Sequence, residues 1–234
     1  AVHSGRDLQI FTTGTEFVLP QIDGSPLTPT NFIPKPSTRR GSAIGVRPQS
    51  TEGGTLFLQR GGKAIREFLF TDAQGSYTAN DISLLSSHLL QGPTNMAMRR
   101  GTNVDEGDLL YVVNGTDGSM AAFTILRTQN VIAPSLLTTA GDFIDVAVED
   151  ADTPLVYTVV KRTVNSSTVY HLELFNSNYT TDSAVQLSGG SLPGSTTMSG
   201  LSHLVAASVK VIADDALLSD ATVNGSGQIT TDRT

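Results

Sequence analysis

Between Leu109 and Leu126 two apolar runs, Leu109–Val113 and Met120–Leu126, flank six residues that contain Asn114-Gly115 and Asp117-Gly118. A run, a turn and a second run of this kind specify a β-hairpin, because Asn-Gly and Asp-Gly supply the positive φ that tight turns demand. The same pattern recurs along the chain. Short β-branched or aromatic runs stand at Leu8–Phe11, Glu16–Leu19, Thr55–Gln59, Ala64–Phe70, Ile144–Val148, Leu155–Arg162, Thr168–Phe175, Ala184–Leu187, Ser208–Ala213 and Gln228–Thr230. Turn residues separate them, Asp23-Gly24 and Asn224-Gly225 among them. In Ala64–Phe70, Ile65, Glu67 and Leu69 alternate with Ala64, Arg66, Phe68 and Phe70, the period of a strand with one buried face.

Composition excludes the alternatives. Hydrophobic residues are 38% of the 234, which is too many for a disordered chain. Ser and Thr together number 52, and charged residues are only 16%, which is unlike a helical bundle. The longest apolar runs fall far short of the roughly 18 residues that a membrane helix needs. The chain contains no cysteine, so disulfides, thiol nucleophiles and cysteine-based zinc sites are excluded. It begins at Ala1 without a charged and apolar leader, and so reads as a fragment of a longer protein without a signal peptide.

One helix is expected, near 81–91. Ile82, Leu85 and Leu89 recur at i, i+3 and i+7, with Asn80 or Asp81 as cap and Gly92-Pro93 as stop. The stretch from Pro26 to Pro48 holds five prolines with Lys35, Arg39, Arg40 and Arg47, and reads as an extended basic connector. The small polar segment 188–200 reads as a linker between residues 1–187 and a small β module at 201–234. The expected fold is therefore all-β, propeller-like or multi-sheet, with one short helix and a small, truncated C-terminal β module. The expected core comprises Leu56, Leu58, Ile65, Phe68, Phe70, Ile82, Leu85, Leu89, Leu110, Val112, Phe123, Ile125, Val146, Val159, Leu172 and Leu174.

Charge is uneven. Residues 1–100 carry ten Lys/Arg against seven Asp/Glu, and residues 101–234 carry five against fifteen. The acidic second half argues against a phosphate-binding surface there.

Residues that would carry chemistry are scattered. His3, His88, His171 and His203 are isolated, and no metal-ligating spacing joins them. Gly53-Gly54 and Gly61-Gly62 flank a strand as turn glycines, outside the strand–loop–helix context of a phosphate cradle. Glu149, Asp150 and Asp152 lack the ligand spacing and glycine of a calcium loop and read as a solvated hairpin turn, as do Asp105, Glu106 and Asp108. The Asn-x-Ser/Thr triplets begin at Asn114, Asn165, Asn178 and Asn224; two of them are Asn-Gly turns. Arg39-Arg40 and Arg99-Arg100 read as solvated pairs. No catalytic, cofactor-binding or metal-binding residue is assigned, and the chain reads as a non-enzymatic interaction or structural protein.

An ordered series of segments resembles the tail nozzle (tail tubular B-type, or hub) proteins of short-tailed bacteriophages and related prophages. It runs through Phe11, Glu16-Phe17, Leu27–Thr30, Leu56–Phe68 and Tyr77, then Asp81–Leu85 and His88-Leu89. It continues through Leu109–Asn114, Asp117-Gly118, Ala122–Asn130, Val160–Arg162 and Tyr170–Leu174, covering most of residues 8–187. Residues 200–215 resemble the small β module of those proteins, related to one labelled after ubiquitin-activating enzymes. No thioester cysteine accompanies it, and Ala213-Asp214-Asp215 stands where the family has Ala-Asp-Gly.

The resemblance implies propeller-like β architecture and a ring of six subunits below the portal and adaptor, in a virion assembled from protein made in the host cytoplasm. DNA would pass through the ring without specific binding. The alternatives are a carbohydrate-binding or receptor-binding β module, which the absence of Trp and the five Tyr disfavour, and a hydrolase with fold-assembled carboxylates.

Overall fold

The computed structural model describes residues 1–20, 26–103, 105–164, 166–176, 182, 197–213 and 216–231. They form two compact units: Ala1–Lys161 with His171–Asn176, and Arg162–Tyr170 with Ser177–Thr234. The described chain is all-β and multi-sheet, as its turn pattern requires, and none of its helices is long and apolar enough to cross a membrane.

The first unit is a series of antiparallel meanders in chain order. The first sheet comprises β1 (Val2–Ser4), β2 (Leu8–Phe11), β3 (Glu16–Leu19) and β4 (Lys35–Thr38). The second comprises β5 (Gln49–Thr51), β6 (Gly54–Leu58), β7 (Ile65–Thr71) and β8 (Ser76–Asp81). The third comprises β9 (Pro93–Arg99), β10 (Asp108–Asn114), β11 (Met120–Leu126) and β12 (Val131–Leu137). The fourth comprises β13 (Asp142–Val148), β14 (Val156–Val164) and β15 (Ser167–Leu174); the far end of its β14–β15 hairpin belongs to the second unit.

Successive sheets pack face to face. Phe11 and Val18 of the first meet Phe57, Phe68 and Tyr77 of the second. Leu56, Leu58 and Ile65 of the second meet Met96, Leu110, Val112 and Phe123 of the third. Tyr111, Val113 and Met120 of the third meet Phe143, Val146, Val156 and Val160 of the fourth. The two middle sheets bury both faces, so β6, β10 and β11 are apolar at nearly every position, whereas strict alternation marks a strand with one wet face.

In the second unit three short ladders nest: β16 (Thr197–Met198) with β21 (Ile229–Thr230), β17 (Ser208–Val209) with β20 (Ala221–Thr222), and β18 (Ile212–Ala213) with β19 (Ala216–Leu217). They close over Leu201, Val211, Val223 and Ile229. The expected strand Ala184–Leu187, residues 188–196 of the expected linker, and Asp214-Asp215 lie outside the described residues.

Several expectations are corrected. The 81–91 stretch is no helix: after β8 it is a chain of tight turns with one 3₁₀ turn, Ser87–Leu89. The serines account for this. Asp81 Oδ1 accepts both the backbone N–H and the hydroxyl of Ser83, Ser83 Oγ in turn accepts the Ile65 N–H, and Ser86 N–H bonds the Ser83 carbonyl. Side chains that serve the backbone in this way compete with a helical ladder. Ile82 and Leu89 still reach the core, but Leu85 is 94% exposed.

In the fourth sheet Phe175 turns toward Tyr111, with ring centroids 5.7 Å apart, so the alternate positions Leu172 and Leu174 face outward. Val159 is likewise half-buried while Val156, Thr158 and Val160 are buried, and Phe70 and Ile82 are only partly buried. Lys35–Thr38, read as part of a connector, is the edge strand β4, a place where Pro36 is tolerated. Positive φ falls on Gly118 and Gly227; Gly115 and Gly225 do not adopt it.

Candidate functional site

The leading strands β1, β5, β9 and β13 of the four sheets are tied to one another by side chains. His3 Nε2 and Ser50 Oγ are 2.8 Å apart. Gln49 Nε2 donates to the Met96 carbonyl at 2.9 Å, and Asn95 Nδ2 donates to the Val146 carbonyl at 3.1 Å and to Asp145 Oδ1. Between them lies a cleft of about 220 Å³, lined among others by His3, Ser50, Met98, Arg100, Glu149 and Asp150. Burial lowers the pKa of His3, because desolvation disfavours the charged imidazolium.

The His3–Ser50 contact joins a base to a hydroxyl. Acyl transfer also needs a carboxylate orienting the imidazole and donors for an oxyanion. Among the described residues no carboxylate is hydrogen-bonded to the ring of His3. The chemistry on view is a polar cross-brace at the convergence of four sheets.

A second concavity, about 370 Å³, opens where the inter-sheet connections and the β2–β3 and β6–β7 turns meet. Thr13, Ile44, Leu58, Arg60, Gly61 and Pro93 are among its lining residues. The sequence holds its walls in place. Glu16 is fully buried; its Oε2 accepts the Thr38 hydroxyl at 2.6 Å and the Arg40 N–H at 3.1 Å, which fixes the chain at Arg39–Gly41. Gly41 has φ +74 and lies against the Thr13 carbonyl, so only glycine fits there. Arg60 N–H bonds the Gly41 carbonyl at 2.9 Å, and Lys63 Nζ donates to the Leu90 carbonyl at 2.5 Å.

The residues singled out in the sequence are not gathered. His88, His171 and His203 are exposed on separate segments, and among the described residues no group of three or more His, Asp or Glu is placed to hold a metal. Glu149, Asp150 and Asp152 occupy the β13–β14 turn. Glu106 pairs with Arg99 at 2.6 Å and accepts the N–H and hydroxyl of Thr102; the Thr102 N–H, the Arg99 side chain and the Thr102 hydroxyl hold its pKa down at about 2. Arg100 lines the cleft, whereas Arg39 and Arg40 are exposed just before Gly41.

Sequence reasoning missed three polar anchors, two of them fully buried and one half-buried. One is Glu16. Another is the Arg127–Glu67 ion pair, in which burial lowers the arginine's pKa. The third is Asn114, which is fully buried. Its Nδ2 donates to the Leu89 carbonyl and to Ser119 Oγ, both at 2.8 Å, and its Oδ1 accepts the Gln91 N–H at 3.0 Å. Asn114 could have been found only by noticing that it follows an unbroken apolar run. No protein-family model matches this chain, and no curated protein matches it.

Proposed function

We propose that this chain is a structural part of a bacteriophage tail, within the ring-shaped nozzle or hub through which DNA is ejected. The observation that carries the reading is the ordered series of segments, spread over most of residues 8–187, that resembles tail nozzle proteins. The architecture supports it. Consecutive antiparallel meanders that stack in chain order, with their leading strands side by side, are compatible with propeller-like architecture.

In this reading the partners are further copies of the chain in a ring of six, together with the portal–adaptor and other tail proteins, and the place of action is the virion. DNA is cargo. A net charge of −7 disfavours the counterion-release affinity that basic grooves have for phosphate, so the strand slides through unbound. Function then lies in protein–protein faces and needs no catalytic group.

Negative-stain images of the full-length protein test the reading: closed rings with a central channel are expected, and a field of single, unassembled particles overturns it. A carbohydrate-binding role calls for neighbouring exposed rings. No ring-to-ring contact joins the exposed aromatics among the described residues, Phe32, Tyr170 and Phe175. Saturable binding to a glycan array would favour that role instead.

A further inference from the structure

Because every sheet of the first unit is a meander, its connections alternate between two ends. The three inter-sheet connections, 39–48, 82–92 and 138–141, lie at one end with the turns 12–15, 59–64 and 115–119. Backbone hydrogen bonds confirm that these segments are neighbours: Ser42 N–H to Thr12 O, Arg60 N–H to Gly41 O, Thr116 N–H to Gln91 O and Phe143 N–H to Gly118 O. At the opposite end lie the turns 5–7, 26–34, 52–53, 72–75, 100–107, 127–130 and 149–155, where Arg6 pairs with Asp72.

The two ends differ in charge. Described residues of the connector-end segments carry Arg39, Arg40, Arg47, Arg60 and Lys63 against the single carboxylate of Asp117. Those of the opposite end carry Asp7, Glu52, Asp72, Asp105, Glu106, Glu149, Asp150 and Asp152 against Arg6, Arg100 and Arg127. The two ends of the folded unit therefore carry opposite net charge. Arg39, Arg40, Arg47 and Arg60 are exposed and make no ion pair with any described residue.

Each end also exposes apolar side chains. At the connector end Ile44, Leu84 and Leu85 are 86%, 71% and 94% exposed. At the opposite end Leu27, Phe32 and Ile33 are exposed. In protein–protein interfaces apolar residues supply affinity, and charged residues set partner and orientation.

We propose that the connector end of this unit docks the acidic end of a second copy of the chain. The complement it fits, opposite in charge and also bearing exposed apolar side chains, is present on the chain itself. Such a contact is heterologous, joining two different surfaces, and it closes into a ring when the rotation per subunit divides the circle. The proposal rests on the tail-ring reading only for that closure; the end-to-end contact stands without it.

A charge-swap experiment on the full-length protein tests it. One variant carries Arg39→Glu, Arg40→Glu and Arg60→Glu; the other carries Asp105→Lys, Asp150→Lys and Asp152→Lys. All six positions are exposed, so both variants should fold, and circular dichroism with a thermal melt checks that they do. Sedimentation velocity then reads association across a salt series. The wild type should associate, more weakly as salt rises. Each variant alone should lose association by about tenfold or more, and an equimolar mixture of the two should regain it, because each altered end meets its new complement.

A wild type that stays monomeric at every salt concentration overturns the proposal. So does association that either variant leaves intact, or a mixture that fails to recover. Rings that persist in both variants remove this contact and leave the tail-ring reading standing. Chains that pair by charge swap but never close into rings do the reverse.

Discussion

Asn95 on β9 donates its amide N–H to the Val146 carbonyl of β13, 3.1 Å away, and thereby ties the leading strand of the third sheet to that of the fourth. The same side chain also donates to Asp145 Oδ1, while its own Oδ1 accepts the Met96 N–H at 2.8 Å. One asparagine therefore serves three partners at the bulge between Phe143 and Asp145, where the β13–β14 register shifts. Asn95→Ala leaves the Val146 carbonyl without this donor and should destabilise by about 1–2 kcal/mol. A thermal melt should show a drop of roughly 2–8 °C; an unchanged melting temperature means that the brace carries no weight.

A sharper contrast lies in the apolar residues. Phe68 is fully buried, stacks on Tyr77 with ring centroids 4.5 Å apart, and meets Phe11 edge-on at 5.5 Å. Phe68→Ala should cost about 3–5 kcal/mol. Leu85→Ala removes a side chain that is already in water and should change stability by less than about 0.5 kcal/mol. Urea unfolding of the two variants checks both; a comparable loss in each would restore a buried helix at 81–91.

Asn114→Ala should be more damaging than an average turn substitution. It orphans the Leu89 carbonyl and the Gln91 N–H and frees the loop that they anchor, at about 1–3 kcal/mol. Hydrogen exchange should accelerate across residues 86–92 and 115–119 before it does elsewhere. Uniform acceleration over the whole unit would contradict this local account.

Acid titration separates Glu106 from the other carboxylates. Its pKa is lowered in the folded state to about 2 from an ordinary 4.5, by the Thr102 N–H first, then by the Arg99 side chain and the Thr102 hydroxyl. A depressed carboxylate pKa contributes stability that is fully present above pH 4.5 and is lost as pH falls toward 2. The Glu106 carboxyl carbon should titrate near pH 2 by NMR, and Arg99→Ala should move that midpoint upward. A midpoint near 4.5 in the wild type would show the Thr102 and Arg99 bonds to be absent in solution.

What the sequence made legible was what local chemistry decides. The β10–β11 hairpin stands where its two runs and intervening turn put it, because turn and strand preferences agree there. Leu56, Leu58, Ile65, Phe68, Leu110, Val112, Phe123, Ile125 and Val146 are buried because both faces of their sheets, or one alternating face, meet another sheet.

Illegible features were those set by partners distant in the chain. Leu85 carried a helical period that the serines around it defeated, and Leu172 and Leu174 followed a strand period in β15, a strand none of whose residues is buried. Of the sites, the acidic turns could be placed from sequence alone. The cleft at His3 and Ser50 could not, because 47 positions separate two residues that only the stacking of whole sheets brings together.

Native mass spectrometry of the full-length protein tests the central claim, that this stack of sheets serves as one subunit of a tail ring, most directly. A dominant species of six copies is expected. A spectrum holding only monomers or dimers at concentrations where a virion component must assemble would contradict it.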